Sequence, residues 1–420
     1  MLRSILIAVL LFLFLLVDMY IFTGVKSLTR TWSLSNQRIL AYSYWAVPIL
    51  CILLFFATFY WLNDRLTFKT RNFLASFVFI IYLSKLLSAV VLLFADTIRL
   101  GKWSFQEISN FFKPEKKLVD SSSTLPKIER SEFITQAALA LGATHIGAMS
   151  WGIISGAYDY RIRRVPLKLS NLPKKFHGLK LIQISDIHSG SFYNKTAVAG
   201  GVDMLLQEKP DLVFFTGDLV NNKSEELEEY FNIFKKIKAP LGVYSTLGNH
   251  DYGDYASWDS EKAKIQNLKT LIEGHKLMGW NLLMDESQTI TVNGESIGVL
   301  GIQNWGKGFA QYGNLEKAMK NTDQMPVKLL LSHDPSHWRE QVLNQTNIDV
   351  SFAGHTHGMQ YGVEIGDFKW SPAQWRYKEW AGLYKEGNQQ LYVNRGYGFL
   401  GYPGRLGILP EITVFELQAT

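Results

Sequence analysis

The sequence predicts a chain in two unlike parts, with about four membrane-spanning helices over residues 1–157 and an α/β domain over residues 178–420, joined by a basic linker over residues 158–177. Three observations predict this organisation. Long apolar runs dominate the first part. Short apolar runs alternate with amphipathic helical patterns in the second part. Polar residues suited to metal binding follow five of those short runs.

Four apolar stretches are long enough to cross the hydrocarbon core of a bilayer, which takes about 20 residues. They cover residues 5–22, 39–63, 73–95 and 133–157. The fourth is rich in Ala, Gly and Ser, which suits close helix packing in lipid but also a buried helix of a soluble protein. No small-residue cleavage site follows the first, so we interpret it as a retained helix rather than a secretory signal.

Two charged residues fall inside these stretches, Asp18 in the first and Lys85 in the third. An unpaired charge at membrane depth is costly, so a mutual ion pair is one expectation. Snorkelling of each side chain toward an interface is the other, and we prefer it at this point.

The side of the membrane that the C-terminal domain faces stays open. Lysines and arginines divide almost evenly between alternate loops, including the long loop of residues 99–130. Arg130, ahead of an Ala/Gly-rich apolar stretch, resembles a twin-arginine export signal without its second arginine, but an ordinary juxtamembrane arginine is the simpler interpretation.

Composition narrows the class of protein. The formal net charge is +6, and basic and acidic residues are interspersed rather than gathered into a stripe, so we expect no nucleic-acid partner. Cys51 is the single cysteine, so the sequence can build neither a disulfide framework nor a thiolate metal site.

Short apolar runs after residue 178 predict buried strands. They cover residues 180–184, 212–216, 242–246, 297–302, 327–331, 350–353, 391–394 and 412–417. The clearest helical pattern covers residues 224–238, where four apolar residues recur on one face: Leu227, Tyr230, Phe231 and Phe234. Strands alternating with amphipathic helices indicate a layered α/β domain.

Ligand-type residues follow five of these strands at the point where each strand ends. In chain order the blocks are Asp186-Ile187-His188, Gly217-Asp218, Gly248-Asn249-His250-Asp251, His333 and Gly354-His355-Thr356-His357-Gly358. These blocks hold five of the nine histidines of the chain. Because sites in open α/β sheets form beyond the carboxyl ends of strands, we expect the blocks to meet. His337, four residues after His333, is better explained as a helix-face residue than as a ligand.

The donor types in these blocks suit divalent cations. Carboxylate, imidazole and amide donors without any thiolate favour manganese, iron, zinc or magnesium. A carboxylate that bridges two such ions would hold them about 3.5–4 Å apart, the spacing that activates water and clamps a phosphoryl group. Glycines beside the ligands allow the backbone to turn sharply.

Together the five blocks resemble the calcineurin-like metallophosphoesterase superfamily, over about residues 178–417. The membrane anchor and the ending from Asn394-Arg395-Gly396 to Pro410-Glu411-Ile412 are similar to a bacterial membrane-associated branch. That branch includes enzymes acting like UDP-diacylglucosamine pyrophosphatases. The resemblance implies a four-layer α/β/β/α sandwich, in a multi-pass protein of a bacterial cytoplasmic membrane. One departure is Met359, where the branch usually has a glycine.

The resemblance also implies roles for the residues. Seven would hold two metal ions: Asp186, His188 and His357 the first, Asn249, His333 and His355 the second, and Asp218 both. His250 would act as general acid or charge stabiliser, oriented by Asp251. The implied reaction is hydrolysis of a phosphodiester or pyrophosphate bond by a hydroxide held between the ions.

Two other classes of function stay open. A non-catalytic domain could bind metal to sense an ion or to stabilise itself, although structural sites are usually closed four-ligand shells. A transporter or membrane scaffold has only Asp18 and Lys85 in its favour.

Membrane attachment favours a lipid-linked phosphoester as substrate, while soluble phosphodiesters and nucleotides also fit. Aromatic and basic residues near the last blocks are candidates for headgroup and acyl contacts: Trp370, Trp375, Trp380, Arg376, Arg395 and Arg405. Ordinary packing explains the tryptophans equally well.

Overall fold

The computed structural model describes residues 2–62, 65–111 and 130–420, which divide into two compact units at residue 150. Asn63, the predicted end of the second apolar stretch, and most of the basic loop of residues 99–130 lie outside the described residues. Each unit is considered by itself below.

The first unit consists of helices α1 (Leu2–Leu28), α2 (Leu34–Phe56), α3 (Phe68–Phe111) and α4 (Arg130–Ile154), the last of which runs into the second unit. A π-helical turn, Ala57–Trp61, extends α2. All four are long and apolar enough to cross a membrane, as predicted. The third has 44 residues, well beyond the predicted stretch of residues 73–95 and beyond the length that one crossing needs.

Asp18 and Lys85 form an ion pair inside this unit. Lys85 Nζ lies 2.5 Å from Asp18 Oδ1, and the Tyr82 hydroxyl donates to Asp18 Oδ2 at 2.8 Å. Tyr44 donates its hydroxyl to the Asp18 backbone carbonyl at 2.7 Å. The snorkelling interpretation is therefore wrong, because the Asp18 side chain is only 1% exposed and reaches its partners within the helical bundle.

The second unit contains fourteen strands over residues 151–420, all of which are described. They are β1 (Arg161–Leu169), β2 (Lys180–Ile184), β3 (Leu212–Phe215), β4 (Val243–Ser245), β5 (Asn281–Leu282), β6 (Glu286–Val292), β7 (Glu295–Gly301), β8 (Lys328–Leu331), β9 (Val350–Ala353), β10 (Val363–Ile365), β11 (Phe368–Trp370), β12 (Gly382–Glu386), β13 (Gln389–Val393) and β14 (Glu411–Ala419). The helices are α5 (Lys195–Gln207), α6 (Phe231–Phe234), α7 (Glu261–Met278) and α8 (Leu315–Met319).

These strands build two mixed six-stranded sheets and one hairpin. The sheet orders are β1-β14-β2-β3-β4-β5 and β12-β13-β9-β8-β7-β6, and β10 pairs with β11. A core that includes Phe214, Phe352 and Phe415 lies between the sheets. Helices α5, α6 and α7 cover the outer face of the first sheet, and α8 with the segment around Trp338 covers the outer face of the second. The four-layer α/β/β/α sandwich is confirmed.

The linker prediction needs correction at its centre. Residues 158–177 contain β1, which pairs in parallel with β14 from Arg161 opposite Glu411 to Leu169 opposite Ala419. Leu167 and Leu169 alternate along the strand and are buried in the core between the sheets. This part of the basic segment therefore belongs to the domain. Its two leucines at strand spacing are buried, whereas Arg161, Arg164 and Lys168 stay exposed.

The helix predicted over residues 224–238 is also interrupted. A 3₁₀ turn over Ser224–Leu227 is separated from the short α6. The Glu226 carboxylate accepts backbone N–H groups of Asn221, Asn222 and Lys223, which fixes the turn at the end of the preceding loop. The residues of the predicted apolar face are nevertheless largely buried. Tertiary packing therefore interrupts the helix but leaves the same residues facing the core.

Candidate metal centre

The five ligand blocks meet at one place. Strands β2, β3 and β4 run parallel in one sheet and β8 and β9 run parallel in the other, so their carboxyl ends form two facing rows. The ligand atoms make two groups, and within each group all atoms lie within 4.8 Å of one another. The groups are Asp186, His188 and His357, and Asp218, His333 and His355.

The first group is built around facing imidazoles. His188 Nε2 lies 3.1 Å from His357 Nε2, which in turn lies 3.2 Å from Asp186 Oδ1. The Asp186 carboxylate also accepts the backbone N–H of His355 at 2.9 Å, which ties the first strand end to the last. Three donors thus point at one small volume, all of them buried.

One atom of the second group also faces the first group. Asp218 Oδ2 lies 3.1 Å from His333 Nε2 and 3.5 Å from His188 Nε2, so one carboxylate oxygen faces both groups. His355 Nδ1 lies 3.2 Å from His333 Nε2 and 2.8 Å from Asn249 Oδ1. The Asn249 side chain therefore lies beside the second group.

The tautomers of two histidines fit cation binding. His188 Nδ1 donates to Asn221 Oδ1 at 3.1 Å, and His333 Nδ1 donates to the Thr216 carbonyl at 2.7 Å. Each inward Nε2 can then offer its lone pair to a cation, the arrangement that ligating histidines adopt. Burial favours the neutral ring of His333, but the charge of Asp218 outweighs it and raises the pKa of His333 to about 10, so a cation that binds there would displace the Nε2 proton. Burial lowers the pKa of His188 well below its usual range and keeps it neutral. The donor set, which contains no thiolate, thus suits divalent cations.

The backbone at the site is strained. Five candidate ligands have positive φ between 49° and 69°: Asp186, His188, Asp218, His355 and His357. Side-chain-bearing residues seldom adopt this region, at a cost of about 1–3 kcal/mol each, and such strain gathers at functional sites. Gly354 relieves a further conflict, because a Cβ there would lie 2.1 Å from Asp186 Oδ2.

The predicted pairing of His250 with Asp251 is wrong in its detail. The His250 ring donates through Nδ1 to the Asn221 carbonyl at 2.7 Å. Asp251 instead accepts the backbone N–H groups of Gly248 and Asp218 at 2.9 Å and of Leu219 at 2.8 Å, so it pins the loops that carry the ligands. Burial, reinforced by the charge of Asp218, raises the pKa of Asp251 to about 7.

Four residues near the site had escaped the sequence analysis. Asn221 orients both His188 and His250, and the Tyr377 hydroxyl lies 2.8 Å from His355 Nε2. Tyr255 contacts Asn249, and Asp334 Oδ2 lies 3.5 Å from His355 Nε2. For two of them the sequence signal is nearness to a block, since Asn221 follows Asp218 by three residues and Asp334 follows His333 directly.

Three of the residues predicted to contact a headgroup are buried and already have partners within the domain. Arg395 pairs with Glu411 and Glu364, and Trp380 is buried. Arg405 is buried, donates to backbone carbonyls and places Nη2 3.2 Å from His357 Nδ1. These residues support the site from within and do not line a surface for a headgroup.

Two family models match the chain. Residues 2–157 match the model described as probable calcineurin-like phosphoesterase, transmembrane domain. Residues 179–359 match the model described as calcineurin-like phosphoesterase. The two matches cover the helical unit and most of the sandwich, and both point to the same kind of protein.

Curated relatives agree with these matches. Metallophosphoesterase YkuE of Bacillus subtilis is 28% identical, over 70% of this chain and 100% of that protein. A transmembrane protein with metallophosphoesterase domain of Danio rerio is 26% identical, over 72% and 67%. UDP-2,3-diacylglucosamine pyrophosphatase LpxG of Chlamydia trachomatis is 28% identical, over 54% of this chain and 81% of that protein.

Proposed function

The chain belongs to the calcineurin-like phosphoesterases and is an integral membrane hydrolase, and we propose that it cleaves a phosphodiester or pyrophosphate bond with two divalent metal ions. The observation that carries the proposal is the position of Asp218. Its Oδ2 atom faces His188 of one ligand group and His333 of the other, as a bridging ligand must.

Seven residues would hold the ions: Asp186, His188 and His357 the first, Asn249, His333 and His355 the second, and Asp218 both. Manganese, iron, zinc and magnesium all suit these donors. Two such ions, when bound, supply a water activated at neutral pH and positive charge against the phosphoryl oxygens. The contribution of the chain is to fix the donors before substrate arrives, through the strained backbone and the hydrogen bonds of Asn221 and Thr216.

His250 would serve the leaving group or the phosphoryl charge. Its ring centre lies 5.0 Å from that of His188, and the residue is partly exposed, so a substrate can reach it. Because Nδ1 is engaged by the Asn221 carbonyl, Nε2 is the atom that can exchange a proton with a substrate oxygen. Asp251 would act only as a positioning residue, through the loop that holds His250 and Asp218.

A lipid-linked phosphoester in a bacterial cytoplasmic membrane is the proposed substrate class. The membrane anchor supports it, as does the likeness to a pyrophosphatase named for UDP-2,3-diacylglucosamine. The non-catalytic sensor is less well supported, because seven donors exceed a closed four-ligand shell.

The experiment compares wild type, Asp218→Asn and the exposed surface control Asp323→Asn, each as full-length protein in detergent. We expect about two metal ions per wild-type chain by mass spectrometry, and hydrolysis of an aryl phosphodiester that chelation abolishes. Asp218→Asn should lose metal and activity together, whereas the control should keep both. Full activity in Asp218→Asn, or in chelated wild type, would contradict the proposal.

A further inference from the structure

The hairpin of β10 and β11, which follows the His357 block, turns its charged residues toward the domain and leaves apolar residues exposed. In β10 and β11, Glu364 pairs with Lys369 and Ile365 pairs with Phe368. The charged pair is half-buried, whereas Ile365 is 74% exposed and Phe368 is 62% exposed. A surface hairpin that faces water has its polar residues outward, so this pattern is the reverse of the ordinary one.

The inward charges fix which face is outward. Glu364 accepts from Arg163 Nη2 at 2.6 Å and from Arg395 Nη2 at 2.8 Å. Lys369 Nζ lies 4.8 Å from the centre of the Tyr384 ring and donates to the Ala381 carbonyl. A slip of one residue would break these contacts, because it turns every side chain of a strand to the other face. The exposure of Ile365 and Phe368 is therefore built into the fold.

Neighbouring residues extend the apolar face. Trp375 is 77% exposed and packs edge-on against Trp370, with ring centres 6.1 Å apart. Met359, four residues before β10, is also exposed. Arg376 and Lys378 are exposed close by along the chain. Aromatic and aliphatic side chains beside basic ones are the composition of segments that lie at the bilayer interface.

We propose that this hairpin surface, defined as Val363, Ile365, Phe368 and Trp375, inserts into the interfacial layer of a phospholipid bilayer. The chain is an integral membrane protein, so the domain is tethered to a bilayer. The exposed Arg376 and Lys378 complement anionic headgroups. No such role follows from the phosphoesterase chemistry, and the inference does not depend on which bond is cleaved.

The surface is joined to the metal centre through its base. Ser371 Oγ donates to the Gly358 carbonyl at 2.6 Å, next to His357. Tyr377, two residues after Trp375, contacts His355. Insertion of the hairpin surface would therefore hold the two histidines of the last block close to the headgroup layer.

The test measures the depth of single spin labels on the full-length protein in nanodiscs of phosphatidylcholine and phosphatidylglycerol. Cys51→Ala removes the native cysteine, and Ile365→Cys supplies the label site. Leu277→Cys on α7 is the matched control, because Leu277 is also apolar and is 56% exposed. Equal thermal unfolding midpoints verify that both variants are folded, so the test stands even if the proposed hydrolysis fails.

We expect the ratio of collision rates with oxygen and with a nickel chelate to be several-fold higher at residue 365 than at residue 277. Equal, water-like ratios at both positions would overturn the proposal. Shielding of residue 365 from both reagents, together with a dimer in size-exclusion chromatography, would assign the surface to a second copy instead. A label that leaves water only after UDP-2,3-diacylglucosamine is added would assign it to a substrate acyl chain instead.

Discussion

Two buried clusters of charged groups, one in each unit, differ in how far the residues of the protein satisfy them. In the helical unit, Asp18 meets Lys85 and the Tyr82 hydroxyl, so one negative charge has one positive partner and its hydrogen bonds are made. In the sandwich, Asp186 and Asp218 face imidazole nitrogens that lie about as close to one another as to the carboxylates. The first cluster is closed by its own residues, and the second is open toward cations.

This difference separates a structural role from a chemical one. A self-neutralised pair inside a helical bundle ties two helices together and leaves little capacity for a ligand. Lone pairs that converge on strained backbone serve no structural purpose on their own. The transporter or scaffold alternative rested on Asp18 and Lys85, and their mutual pairing accounts for both.

Among variants that keep all metal ligands, the largest loss of turnover is expected from His250→Ala. Loss of a general acid lowers turnover by about 10²–10⁴-fold, whereas metal content should stay at the wild-type level because the His250 ring is not among the ligand groups. The measurement is kcat on an aryl phosphodiester beside metal analysis of the same sample. The control is His177→Ala, an exposed histidine outside the site. Wild-type kcat in His250→Ala would remove its assigned role.

At the Asp18–Lys85 cluster we expect substitutions to change stability rather than turnover. Lys85→Met leaves Asp18 without its cation and should cost about 3–5 kcal/mol, as removal of one partner of a buried pair does. The double variant Asp18→Asn/Lys85→Met should recover most of that loss, because no charge is left unpaired. Thermal unfolding in detergent measures both. A double variant no more stable than Lys85→Met would mean that the pair does more than neutralise itself.

A smaller effect is expected at the hydrogen bond that orients His188. Asn221→Ala removes the acceptor of its Nδ1–H, which should weaken metal affinity about 10–100-fold. Asn221→Asp keeps an oxygen at that position and should restore most of the affinity. Titration of metal into the chelated protein distinguishes the two, and equal affinity in wild type and Asn221→Ala would show that His188 needs no such support.

The sequence predicted the convergence of the ligands because each block directly follows an apolar strand, and strand ends gather at a sheet edge. It could not predict which group orients His250, because the partner is the backbone carbonyl of Asn221, a group that every residue carries, and only the loop geometry selects it. It also missed β1, β5, β6, β12 and the β10–β11 hairpin. Basic residues hid the buried leucines of β1, and the reversed pattern of the hairpin does not signal a soluble strand.

The proposed hydrolysis rests on the claim that Asp218 joins two cation sites, and anomalous diffraction from crystals grown with manganese tests this claim most directly. Two peaks about 3.5–4 Å apart, with the Asp218 carboxylate between them, are the predicted result. A single peak, or two peaks of which only one touches Asp218, would contradict the account.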